Sequence, residues 1–358
     1  MRAVAWGILV GILLAALILP LGEMPAAAGA QQDAPKPPAQ QPQQQGEVAI
    51  SVEIPVVTVD VVATTQHGDI LGGLRKENFR IYEDGVPQTI TNFAPSDSPI
   101  TLVMLMEFSK VYQGVFAAYA KYWADPFFHR LNQNDWVALV TFDMRPKLEV
   151  DFTQNKEEVR QAIYRLYFPG FSESCIYDAL LDTLDKLKDV RGKKSILILA
   201  SGIDTFSKHT LDQTLKQLKQ TDVTIFAVGV GKGYVDALDA RGGLGAVRRL
   251  DYYQAQNQLH AFTEMTGGHS WFPQFDGEIP GIYQDVVAYL RNQYSLAYTP
   301  TNRTRDGKFR KIKVELVEAN GSPLDVRDQK QKEKNQKLPK IVVYARQGYI
   351  APKDNLGD

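Results

Sequence analysis

The sequence predicts an α/β domain with a mainly parallel, helix-flanked sheet, inserted into a discontinuous β-sandwich, and three observations carry that expectation. Ile100–Met106 (ITLVMLM) is an unbroken apolar run, the pattern of a central strand covered on both faces. Between Pro99 and about Arg291, apolar strands alternate with helix-length amphipathic segments, which is how βαβ units read. The segments on either side alternate polar and apolar residues with period two, as half-buried strands do. With 358 residues and 44% hydrophobic content the chain can bury two cores, since a single core stops growing at roughly 250–300 residues.

The elements follow in order. Residues 1–30 carry one arginine, an apolar stretch from Ala3 to Leu21 and a small-residue end at Ala28-Gly29-Ala30, the pattern of a signal peptide cleaved after Ala30. The alternative is an uncleaved membrane anchor, because the apolar stretch approaches the ~20 residues that span a bilayer. Residues 31–47 are rich in glutamine and proline and read as a solvated tether. Residues 48–98 form the first β piece, with strands at Val56–Thr64, Phe79–Glu83 and Gln88–Phe93. Asp84-Gly85 marks a tight hairpin, because glycine accepts the positive φ such a turn needs.

Residues 99–291 form the α/β piece. Strands are expected at Ile100–Met106, Trp136–Phe142, Ser195–Ala200, Thr224–Val230 and His269–Phe272, with Lys147–Phe152 an antiparallel edge. Helices are expected at Gly114–Leu131, Lys156–Leu166, Ile176–Leu187, Thr210–Gln220, Gln258–Thr266 and Gly281–Asn292, and Tyr234–Tyr253 reads as a long loop. Residues 292–351 return to strands at Tyr294–Tyr298, Phe309–Val317 and Ile341–Ala345, with a polar loop between the last two and a tail at 352–358. Neither β piece alone has enough strands for a stable sandwich, so the two are expected to combine around the α/β domain.

Charge and composition exclude several functions. A net charge of -1 with scattered basic residues offers no field for nucleic acid. Cys175 is the only cysteine, so no internal disulfide, cysteine-based metal site or lipid-bearing cysteine is available, and a small buried thiol is the expectation. The five histidines form no His-Glu-x-x-His pattern. Gly229–Gly233 lacks the Lys-Ser/Thr spacing of a phosphate loop, and Gly170–Ser174 lacks the final glycine of a hydrolase nucleophile elbow. Catalysis has no support in the sequence.

Seven stretches carry a resemblance: the β strands and hairpin of Val57–Phe93, LMEFSK at Leu105–Lys110, DWVALVTFD at Asp135–Asp143, SCIYDAL at Ser174–Leu180, LILASGIDTFS at Leu197–Ser207, TGGHSWF at Thr266–Phe272, and YSLAYTP followed by DGKFRKIKV. In their order and spacing, Pro99–Arg291 resembles a Rossmann-like von Willebrand factor A domain. The chain from about Val56 to Ile350 is similar to the bacterial von Willebrand factor A-related family first noted in Acidobacteria. The resemblance implies an Mg²⁺ site at the top of the sheet, built from an Asp-x-Ser-x-Ser turn after the first strand, a threonine before the third helix and an aspartate after the fourth strand. Mg²⁺ wants six oxygens and keeps waters, so two or so carboxylates with hydroxyls can hold it.

Here Glu107 stands for the first aspartate, Ser109 keeps the first serine, Val111 replaces the second, Ser174 stands for the threonine and Ser201 for the second aspartate. One carboxylate remains on a longer arm, and Lys110 adds a like charge beside the ion's place. The expectation is a degenerate site without a cofactor, binding Mg²⁺ weakly at most. Asp143 and Asp204 offer replacement carboxylates, or else they end a strand and turn a loop.

The expected role is an exported protein, periplasmic or secreted, that binds another protein through this edge without inserting in a membrane after cleavage. Lys110, Phe171, Arg241, Arg248 and Arg249 are its candidate contacts, with the Gly231–Tyr253 segment. A self-assembling structural envelope subunit, and an enzyme taking a phosphorylated ligand at the strand-end crevice, are the alternatives.

Overall fold

The computed structural model describes residues 56–353 except 96–97, 111–122, 167–168, 231–234, 237–239, 241–245 and 328–336. Six strands make the parallel sheet: β5 (Ile100–Glu107), β6 (Trp136–Phe142), β7 (Pro146–Thr153), β8 (Lys193–Leu199), β9 (Thr224–Val228) and β10 (Ser270–Trp271). Their order is β10-β9-β8-β5-β6-β7, parallel except for β7, which pairs antiparallel with β6 at the edge. Among the described residues the sheet is flanked by the helices α1 (residues 123–128), α2 (Lys156–Tyr164), α3 (Ile176–Leu187), α4 (Leu211–Leu218), α5 (Ala246–Thr266) and α6 (Ile279–Arg291). The start of the expected Gly114–Leu131 helix lies outside the described residues.

The apolar run of β5 feeds two cores by turns. Leu102, Met104 and Met106 pack with Trp123, Phe127, Tyr283 and Val286, while Val103 and Leu105 pack with Ala179, Leu180, Leu259 and Phe262. Alternate side chains of a strand point to opposite faces, so a strand buried on both sides must be apolar throughout. Each such side chain contributes about 1.5–3 kcal/mol of burial. Tight approach explains TGGHSWF: a Cβ on Gly268 would stand 1.8 Å from the Ile225 carbonyl oxygen, where β9 and the β10 segment close on each other.

Two four-stranded sheets make the sandwich. One has the order β13-β1-β11-β4, from β13 (Ile341–Ala345), β1 (Val57–Thr65), β11 (Tyr294–Tyr298) and β4 (Ile90–Ala94). The other is β14-β12-β2-β3, from β14 (Gly348–Ile350), β12 (Phe309–Leu316), β2 (Phe79–Glu83) and β3 (Val86–Gln88). Both mix strands from the two ends of the chain. Val59, Val61, Tyr294 and Leu296 of one sheet meet Phe79, Ile81, Ile312 and Val314 of the other in a third core. Asp84 and Gly85 both take positive φ, 48° and 84°, and Glu83 pairs with Val86, so the hairpin forms where Asp-Gly marks it.

Three expectations are corrected. Gln88–Phe93 is not one strand: β3 pairs with β2 in one sheet and β4 with β11 in the other, so the chain changes sheets at Thr89, as sandwich corners do. The helix expected to start at Gln258 begins at Ala246, so the second half of the supposed loop Tyr234–Tyr253 is helical. Tyr252, Ala255, Leu259 and Phe262 recur at helical spacing and are buried, which outweighs the glycines preceding them. β14 was not expected, because three residues carry no periodicity. Among the described residues no helix is long and apolar enough to cross a membrane.

Candidate functional site

The carboxyl ends of the parallel strands gather the residues singled out in the sequence. β5 runs one residue beyond its apolar stretch and delivers Glu107 into the interior, where only 3% of it is exposed. Phe108 N–H then bonds the carbonyl of Phe142, and Lys110 N–H bonds that of Phe171, fixing the turn after β5 against the neighbouring loops. A lone buried carboxylate needs donors, because stripping it of water costs several kcal/mol.

Glu107 has three. Ser109 Oγ donates to Oε1 at 2.7 Å, while Ser201 donates to Oε2 twice, from its backbone N–H and from its hydroxyl, both at 2.7 Å. Ser201 Oγ also accepts from Ile203 N–H at 3.1 Å. Burial pushes the Glu107 carboxyl above its ordinary range, the bonds from Ser201 and Ser109 oppose that rise, and the charge of Asp204 adds to it. The strand end of β5 and the loop after β8 are thereby tied through one side chain.

The other positions adjoin this centre. Ser174 is 3% exposed; its N–H donates to Thr205 Oγ1 at 2.9 Å, its carbonyl accepts from the N–H groups of Thr205 and Phe206, and its own Oγ has no partner among the described residues. Asp204 is engaged by the loop: its carboxylate accepts from the N–H groups of Tyr177 and Ser207 and from the Ser207 hydroxyl, so it caps the first turn of α3 from outside. Asp143 ends β6, its carbonyl receiving Cys175 N–H at 2.8 Å and its carboxylate Arg145 N–H at 3.4 Å. Cys175 is fully buried, and burial, with the charges of Asp178, Asp204 and Asp143, pushes its thiol up to about 12.

Val111 and Arg241 lie outside the described residues. Arg248 and Arg249 sit in the first turn of α5 rather than in a loop. Lys110 is exposed, and Phe171 is 47% exposed. Among the described residues no group of three His, Cys, Asp or Glu side chains is arranged to hold a metal ion.

Two features escaped the sequence reading. Asp178 accepts from the N–H groups of Lys208 and His209 and from the His209 ring, holding the loop before α4; burial raises its carboxyl, and these bonds outweigh burial and bring it below its ordinary value. The second is an open pocket of about 660 Å³ beside Glu107, lined by Phe108, Phe142, Asp143, Arg145, Arg165 and Phe171 among others. The Asp-x-x-Ser of Asp204–Ser207 signals the loop turn in the sequence. The pocket has no such signal, because its walls come from the β6–β7 turn, the end of α2 and the loop before α3.

Among known proteins, residues 102–262 match the von Willebrand factor type A domain. Many solved structures are similar to the chain, among them the following three. BatB from Bacteroides thetaiotaomicron shares 14% identity over 53% of this chain and 98% of its own, with a TM-score of 0.41. A von Willebrand factor type A protein from Catenulispora acidiphila shares 9% identity over 80% of this chain and 77% of its own, with a TM-score of 0.41. Proximal thread matrix protein 1 from the mussel byssus, with a zinc-occupied metal-ion-dependent adhesion site, shares 16% identity over 58% of this chain and 50% of its own, with a TM-score of 0.44. No curated protein matches the sequence. Residues 102–262, which contain the Glu107 centre, form a von Willebrand factor type A domain.

Proposed function

We propose that this is an exported, non-catalytic protein that binds another protein, in the manner of an adhesin, through the top edge of its type A domain, with a degenerate site that needs no metal. The observation that carries the reading is the saturation of Glu107. An Mg²⁺ ion there would have to displace three protein donors from the one carboxylate, and Ser201 presents an N–H where a second carboxylate is required. The donor set therefore does not fit the ion. Glu107 takes over the mechanical part of the ion's work: it joins the turn after β5 to the loop after β8 from inside. The edge keeps its loops in place and leaves Lys110 and Phe171 outward.

Export rests on the apolar, small-residue pattern of residues 1–30, and we assign residues 99–291 as a domain inserted between the two β pieces. Arg248 and Arg249, at the start of α5, remain candidate contacts of the same edge.

Thermal unfolding with millimolar Mg²⁺ or Mn²⁺, against EDTA, tests the metal-free reading. A ligand at a hundred times its dissociation constant adds ~2.7 kcal/mol, a shift of a few degrees for a protein of this size. No shift is expected. A shift that Glu107→Ala abolishes would overturn the reading.

A further inference from the structure

We propose that the pocket between Phe171 and the end of α2 receives an acidic segment of the partner, whose carboxylate is held directly by Arg145 and Arg165. This rests on the reading of the top edge as a docking surface and names the chemistry it takes.

The charges at the pocket carry the inference. Three cations line the pocket with Phe171: Arg145 from the turn between β6 and β7, Arg165 at the carboxyl cap of α2, and Lys147; Lys110, whose backbone bonds Phe171, stands next to that ring in the chain's fold. Arg145, Arg165 and Lys110 are exposed, and among the described residues none of them forms an ion pair; the Arg165 side chain donates to the neutral amide of Gln161, at 3.4 Å. The two acidic side chains of the lining stand differently. Glu149 is already taken, by Lys147 at 2.9 Å and by the Thr141 hydroxyl at 2.8 Å. Asp143 forms no ion pair among the described residues; its carboxylate accepts the Arg145 N–H, at 3.4 Å. With Lys147 and Glu149 paired to each other, Arg145 and Arg165 face the single carboxylate of Asp143, which leaves the pocket short of negative charge.

The shape agrees with the charge. Phe108 and Phe142 line the interior side, and Phe171 offers an outward ring. Arginine presents a planar fork of donors that matches a carboxylate in two parallel bonds, and aromatic rings with arginine are the usual centres of binding energy at protein interfaces. A bulky apolar side chain against the rings, next to an Asp or Glu on the guanidinium groups, satisfies both. Asp143 sets the limit on charge: it repels a doubly charged phosphate more than a single carboxylate, so we assign an acidic peptide.

Selection of randomised displayed peptides on the full-length protein, in EDTA, is the test. Enriched sequences should place Asp or Glu beside a bulky apolar residue. A synthetic representative should lose about tenfold or more in affinity when its carboxylate becomes an amide, in Arg145→Glu/Arg165→Glu, and at high salt, with unfolding midpoints of protein and variant compared to exclude misfolding. Added Mg²⁺ should change nothing. Enrichment of neutral or basic peptides whose binding needs Phe171 but not the arginines would overturn this proposal and keep the docking edge. No enrichment, or peptides indifferent to both Phe171 and the arginines, would overturn both.

Discussion

Two buried carboxylates at opposite ends of the parallel sheet meet opposite fates. Glu107, at the carboxyl ends, has both oxygens occupied by serine donors. Asp60, on β1 near the amino ends, has one oxygen, Oδ1, that finds no partner among the described residues, although Ser295 relieves the carboxyl group and Lys193 and Arg346 are near. Lys193 donates to the carbonyls of Pro95 and Gln293, at 2.8 and 2.6 Å, and so ties the sheet to the strands of the sandwich, while its charge partly relieves Asp60. Burial pushes the Asp60 carboxyl up to about 6, against the partial relief of Ser295 and the cations. A buried acid with a full set of donors acts as a tie, while one with an orphan oxygen is a liability that titrates.

The largest effect should come from cutting the tie. Glu107→Ala leaves the Ser201 N–H and the hydroxyls of Ser201 and Ser109 facing a cavity, each unmet donor costing about 1–3 kcal/mol, so urea unfolding should show a loss of about 3–5 kcal/mol. A loss under about 1 kcal/mol would break the contrast between the two ends.

Asp60 should show itself in the pH dependence of stability. Its folded pKa of about 6 lies above the ordinary 3.8, so the folded state holds the proton more tightly than the unfolded chain does. The resulting stabilisation is complete below about 4 and is lost as pH rises through about 6, on the order of 3 kcal/mol for a shift of about two units. Stability curves at pH 5 and pH 8 should therefore diverge in the native protein, and Asp60→Asn should narrow that gap. Glu107 shifts in the same direction, so some of the gap should persist in the variant.

The smallest effect sharpens the comparison by converting the tie into a metal site. The triple change Glu107→Asp, Val111→Ser and Ser201→Asp restores two carboxylates and a second hydroxyl, and millimolar Mg²⁺ should then stabilise the protein by about 2 kcal/mol while leaving the native chain unmoved. Calorimetric scans with and without the ion read the difference directly. Equal response of both proteins would mean that the substitutions at Glu107, Val111 and Ser201 do not decide binding.

Much of the fold could be read from the chain because burial dictates composition. Phe79–Glu83, Trp136–Phe142, Ile176–Leu187, Tyr294–Tyr298 and Ile341–Ala345 form over the spans their periodicity predicts. The misses occur where a pattern is too short or shared between elements. β14 has three residues, Thr89 marks a corner between two sheets, and the glycines before Ala246 conceal the start of a helix. At the site, the resemblance named Glu107, Ser109, Ser174 and Ser201 as positions to compare with a metal site. It could not show how they bond to one another, because the reach of Ser201 to Glu107 depends on β5 and β8 lying side by side. Arg145 and Arg165 likewise meet at one pocket only because a hairpin and a helix end converge there.

The pairing of β1 has a temporal consequence. It lies between β11 and β13, whose residues follow it by more than two hundred positions. At a synthesis rate of about 5–20 residues per second, the valine-rich VTVDVVATT strand waits on the order of 10–50 seconds before its neighbours exist. During that interval its ladder edges are open to any other nascent strand. The sandwich is thus the last part of the molecule to close, and a holding factor that masks β1 should matter more to the yield of folded protein than any single contact within the finished sheet.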